Sequence, residues 1–99
     1  MRVSEAVGGK PATTLLEQRE RLGERAFLGW ARPLTGRRHQ IRLHLSGLGH
    51  PLLGDRDYGG DPAFARVALH AAKLELPSGE RFESPWPSDF ERWHEELRR

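Results

Sequence analysis

Five arginines (Arg25, Arg32, Arg37, Arg38, Arg42) and three histidines (His39, His44, His50) lie between Arg25 and Gly54, a stretch of thirty residues with no aspartate or glutamate. From Asp55 to Arg99 the balance reverses, with ten acids against seven bases. Such a block suits an anionic partner, and arginine suits phosphate because its fork is planar and bidentate. Arginine outnumbers lysine 14 to 2 across the chain, a bias that explains the choice of base but not the missing acids. Within the block, a glycine (Gly36) before a helix lets backbone approach a ligand, and the first helical N–H groups favour anions. Arg37 and Arg38 sit at that end, where they can grip phosphates. Arg42 lies one turn after Arg38, shares its face and reaches deeper, where a charge leaving water needs an acidic partner. The competing reading is a solvated basic helix whose arginines form only surface ion pairs.

The histidines do not make a metal site. His39 and His44 are five apart and fall on different faces of a helix, no H-E-x-x-H spacing occurs, and cysteine is absent. The absence of cysteine also rules out disulfides and fits a reducing, cytoplasmic setting. His39 is expected to order the motif by hydrogen bonding and His70 to be a satisfied core polar group. A His44/His70 acid–base pair finds no support in the spacing.

These residues must be held by local elements. Residues 1–9 read as a flexible lead-in and 10–99 as one domain. Ala12–Gln18 and Ala26–Arg32 read as the strands of a hairpin turning at Leu22-Gly23. The segment after Thr35 is read as a helix from Arg37 to Leu48, with Thr35 as its N-cap and Gly49 ahead of Pro51 as its stop. Pro51–Gly60 is a loop. Arg66–Pro77 is the strongest strand pattern, apolar on both faces at its start, so it is expected in the middle of a sheet. Ser78-Gly79 turns into a short strand, Arg81–Glu83. Ser88, with Glu91 completing a capping box, opens a terminal helix from Asp89 to Leu97. No window approaches the roughly 20 apolar residues of a membrane span, so no membrane partner is expected.

The stretch TGRRHQIRLHLSGLGHPLLGDRDYGG resembles the signature of the RluA-type RNA pseudouridine synthases, T-G-R-T-H-Q-I-R-V-H-L followed by G-H-P-I-L-G-D and Y-G. RVALHAAKLEL (Arg66–Leu76) is similar to that family's R-L-x-L-H-A-x-x-L-x-F strand, SPWPSDF (Ser84–Phe90) to its A-P-L-P-x-D-F, and GKPATTLLE (Gly9–Glu17) to its G-K-x-A-x-T-x-Y. The four blocks occur in the family's order with similar spacing. Arg38 replaces the usual threonine.

The resemblance implies an α+β fold: part of a mixed, mostly antiparallel sheet carrying the motif helix and a C-terminal helix, the C-terminal half of the catalytic domain. It implies isomerisation of uridine to pseudouridine in rRNA or tRNA, with no cofactor and no metal. Arg42 matches the arginine that pairs with the catalytic aspartate, with Arg37 a second candidate. Leu69 matches the aliphatic residue that packs on the uracil ring, and Arg37, Arg38 and His39 would lie along the RNA backbone. The aspartate that attacks the uridine belongs to an R-L-D-x-x-T-S-G motif, which these residues do not contain. Asp55 falls in a different block and reads as a turn residue, and Tyr58 is not the family's pocket tyrosine. The implied expectation is a truncated C-terminal portion, inactive alone and completed by an N-terminal half in cis or trans. The alternatives are a standalone RNA-binding module without catalysis and an interaction domain unrelated to RNA.

Overall fold

The computed structural model describes residues 1–24, 26–75, 78 and 81–98. Its elements are strands β1 (Arg2–Val3), β2 (Thr14–Leu22) and β3 (Ala26–Pro33), helix α1 (Gln40–Gly47), a 3-10 turn (Arg56–Tyr58), strands β4 (Lys73–Glu75) and β5 (Arg81–Glu83), and helix α2 (Ser88–Leu97). The fold is α+β. β1-β2-β3 form one antiparallel sheet and β4-β5 a second.

The hairpin forms, but its first strand runs on to Leu22, which pairs with Ala26 and so lies in the strand, not in the turn. β2 and β3 pair from Thr14↔Pro33 to Leu22↔Ala26, with an irregularity between Gln18 and Glu20; Arg25 lies outside the described residues. Residues 1–9 are not a loose lead-in: Arg2 and Val3 pair with Leu15 and Thr14, Val7 bridges Lys10, and Val3 and Val7 are buried. Two apolar residues in a polar segment were enough to dock it, because β2 offers a free edge there and α1 an apolar neighbour. Val3, Val7, Ala12 and Leu45 supply the core here, and Trp93 buries α2.

α1 starts three residues later than its spacing suggests. Thr35 does not cap it: its hydroxyl accepts the N–H of Thr13 (3.0 Å) and donates to Oε1 of Gln40 (2.6 Å). Gln40 Oε1 also accepts the N–H of Arg37 (3.1 Å), while its Nε2 donates to the Thr13 carbonyl (2.8 Å) and the Thr14 hydroxyl (2.9 Å). One buried amide thus satisfies the donors that a helix would have used, and residues 35–39 turn around it. His39 closes that turn at φ 55°, a left-handed conformation uncommon for a residue with a Cβ. The stop falls where expected. Gly49 at φ 82° completes a Schellman ending, with Gly49 N–H on the Ser46 carbonyl (3.0 Å) and His50 N–H on that of Leu45 (2.9 Å).

The long central strand expected over Arg66–Pro77 does not form. Among the described residues only Lys73–Glu75 pairs, with β5 alone, from Lys73↔Glu83 to Glu75↔Arg81. A strand needs a ladder on at least one side, and among the described residues no strand flanks 66–71. Leu76, Pro77 and Gly79 lie outside the described residues. α2 includes Ser88 as its first residue, so the expected Ser88–Glu91 capping box does not form and the cap position falls to Pro87, which has no side-chain acceptor.

Candidate functional site

α1 presents Arg42 toward the loop that follows Pro51. Arg42 donates from Nε to Oδ2 of Asp55 (3.0 Å) and from Nη2 to Oδ1 (2.7 Å), a two-point fork on a carboxylate with no solvent exposure. Nη2 also donates to Oδ2 of Asp57 (3.0 Å), whose side chain is 77% exposed. The guanidinium stacks 4.9 Å from the centre of the Tyr58 ring, and the Tyr58 hydroxyl hydrogen-bonds Nδ1 of His39 (3.0 Å). Ser46 donates to the Tyr58 carbonyl (2.9 Å), so the 3-10 turn is fastened to α1 at both ends. The hydrogen bond to Asp55 above all holds the Arg42 guanidinium protonated beyond the range of a free arginine; desolvation opposes this and Asp57 adds to it.

Besides the outside carboxylate that the resemblance implies, Arg42 has acidic partners of its own among the described residues. Its acids are internal, and the cluster Arg42–Asp55–Asp57 carries a net charge of −1 (one base, two acids). The pairing spans thirteen residues, beyond any helical spacing. Yet a signal existed: a desolvated arginine demands an acid, and after the acid-free block Asp55 and Asp57 are the next two acids. Asp55 keeps its turn role as well, its carbonyl accepting the N–H of Tyr58 (3.2 Å) and Gly60 (2.7 Å). Gly54, at φ 77°, must be glycine because a Cβ there would collide with the Arg66 carbonyl.

Beside this cluster lies a concavity of about 310 Å³ lined by Pro33, Thr35, Gly36, Arg37, His39, Gln40, Ile41, Arg42 and Leu69. It brings Arg37, His39 and Arg42 of one motif together with the sequence-distant Leu69. Arg38 is exposed and does not line it. Arg37 is aimed by donation from Nε to the Pro11 carbonyl (2.8 Å). Arg42 lines the hollow while Nε and Nη2 are spent on the aspartates; Nη1 makes no hydrogen bond among the described residues. Its lining combines the apolar side chains of Leu69 and Ile41 with the cations of Arg37 and Arg42.

His44 stands apart from this site. It is buried, donates from Nε2 to the Glu5 carbonyl (2.7 Å) and pairs through Nδ1 with the Thr14 hydroxyl (2.7 Å), leaving neither nitrogen free for catalysis. His70 pairs with the Ser84 carbonyl (3.3 Å) and meets the Phe90 ring edge-on, in irregular chain and not in a strand.

Over 102 aligned residues the chain is 42% identical to the ribosomal large subunit pseudouridine synthase D of Haemophilus ducreyi, a match covering 83% of this chain and 31% of that protein. It is 40% identical over 88 residues to the dual-specificity RNA pseudouridine synthase RluA of Escherichia coli, covering 83% of this chain and 40% of that protein. The chain belongs to the RluA-type pseudouridine synthase family. The mouse (Mus musculus) RNA pseudouridylate synthase domain-containing protein 1 is 48% identical over 65 residues, 60% of this chain and 21% of that protein. The chain therefore spans 31% to 40% of the bacterial relatives' length. No protein-family model matches it. Among the described residues, no helix is long and apolar enough to cross a membrane.

Proposed function

We propose that residues 10–99 form the C-terminal portion of an RluA-type catalytic domain, which isomerises uridine to pseudouridine in cytoplasmic rRNA or tRNA. The observation that carries this reading is the concavity, where the motif's Arg37, His39 and Arg42 meet Leu69 from a different block. In this role Leu69 and Ile41 give an apolar wall for a base. Arg37 and His39 contact the backbone at the rim, with exposed Arg38 beyond it. Arg42 is the counter-charge for a catalytic aspartate carried by other residues, in cis or trans. Asp55 positions it, occupying the Nε–Nη2 edge so that Nη1 remains for the incoming carboxylate. Asp57, exposed and bonded to Arg42 through one contact, is the acid that exchanges most readily. Covalent attack itself needs that absent nucleophile, which binding groups cannot replace. The binding-only alternative draws support from one feature, the pairing of Arg42 with Asp55 and Asp57, which neutralises it without an outside acid.

RNA binding by this chain tests the reading. Titrating a uridine-containing stem-loop at several salt concentrations should give an affinity that falls steeply with salt. Arg37→Ala and Arg38→Ala should each flatten the slope of log K against log salt by about 0.7, as expected for one single-strand phosphate contact apiece. Affinity indifferent to salt, or unaltered slopes in both variants, would remove Arg37 and Arg38 from the RNA interface.

A further inference from the structure

Arg66 lies outside the concavity, yet its side chain links the segment that carries Leu69 to α2. Its Nε and Nη2 fork onto Asp89 of α2 (2.7 and 2.9 Å). Its Nη1 reaches back to the carbonyls of Val67 (3.0 Å) and Leu69 (3.3 Å). Phe90 and Trp93 of α2 flank the guanidinium, 5.1 and 5.6 Å from their ring centres. Next to it, the N–H of Ala68 donates to the Leu53 carbonyl (2.7 Å), which joins this segment to the loop bearing Asp55. Among the described residues, 66–71 pair with no strand, so these side-chain and loop contacts set their path.

We infer that Arg66 is a positioning residue: anchored by Asp89, it holds the backbone of Leu69 so that the leucine side chain forms the apolar wall against which a pyrimidine base of the RNA packs. The inference rests on the RNA-modifying reading of the concavity. Arg66 is an exposed cation, the kind of group that contacts phosphate. All three of its nitrogens are already committed, however, and Asp89 neutralises it. Its role is therefore to select for a base, with no share in the electrostatic footprint.

The test compares a stem-loop carrying uridine with the same stem-loop carrying an abasic site at that position, by fluorescence anisotropy at several salt concentrations. The wild-type chain should prefer the uridine RNA. Arg66→Lys, which keeps the charge but loses the fork, should lower that preference to the level of Leu69→Ala while the salt slope stays at the wild-type value. Asp89→Asn should lower it too, with Arg66 still present. Independently of RNA, the Leu69 methyl resonances should shift in both Arg66→Lys and Asp89→Asn, with the other core methyls in place. Unmoved Leu69 methyls, or an undiminished uridine preference in Arg66→Lys, would overturn the inference. So would a slope flattened by about 0.7, the mark of a phosphate contact. Salt-dependent wild-type binding without uridine preference would overturn it and leave the RNA reading standing. No binding by the wild type would instead refute that reading, and the methyl shifts would then decide Arg66 alone.

Discussion

Replacing Arg42 with methionine separates an arginine held within the chain from one waiting for an outside carboxylate. The structure fixes the outcome through Asp55, whose carboxylate has no solvent exposure and, among the described residues, pairs with no cation but Arg42. Removing one partner of a buried pair strands the other charge, at a cost of about 3–5 kcal/mol. Asp57 gives little relief, because an exposed ion pair contributes only about 0–1 kcal/mol. In a domain of this size each kcal/mol corresponds to roughly 4–8 °C in Tm, so Arg42→Met should melt at least about 12 °C lower or fail to fold. Asp57→Asn and Arg38→Met should stay near the wild type. The double replacement Arg42→Met/Asp55→Leu removes both charges, leaves apolar groups of similar size and should recover most of the loss. Thermal unfolding followed by circular dichroism gives all four values. An unchanged Tm for Arg42→Met would show that the fork on Asp55 does not form in solution. Arg42 would then be the unpaired active-site arginine that the sequence alone suggests.

Gln40→Ala should destabilise the chain by about 2–4 kcal/mol in denaturant unfolding, since it strands the polar groups of Thr13, Thr14, Thr35 and Arg37 that its amide now joins. The pH dependence of stability should show Asp89. Hydrogen bonds from Arg66 hold its carboxyl below the ordinary aspartate value, so the unfolded chain binds the proton more tightly. The resulting stabilisation is complete above about pH 4 and fades as pH falls through the lowered folded value. Asp89→Asn should remove that component of the acid limb, measurable as a smaller slope of unfolding free energy against pH below about 4; an identical slope in the variant would exclude the Arg66 pairing as its source.

Local rules carried some of this architecture and failed at identifiable places. The hairpin, the Gly49 stop and the terminal helix were legible because their signals are contained in a few neighbouring residues. The start of α1 was not, because the long-range bonds of Gln40 to Thr13 and Thr14 outcompete a Thr35 cap. Residues 66–71 have the alternation of a strand but, among the described residues, no ladder partner, and pairing is a property of the whole sheet. At the site, the motif blocks named Arg37, His39, Arg42 and Leu69, which the fold brings around one hollow. Arg38 stays outside it. The missed residues, Asp55, Asp57, Tyr58 and Gln40, act through tertiary contacts; only the need of a desolvated arginine for an acid pointed toward Asp55.

The central claim is that these residues supply the arginine and RNA-facing side of a pseudouridine synthase site whose nucleophile lies elsewhere. It is tested most directly by assaying pseudouridine chemically in unmodified uridine RNA, first with the 99-residue chain and then with an R-L-D-x-x-T-S-G-bearing portion of a relative added in trans. The expected result is no pseudouridine from the chain alone and turnover from the combination, abolished when the added aspartate becomes asparagine. Turnover by the chain alone would contradict the claim, as would an inactive combination in which both parts are folded, associated and bound to RNA.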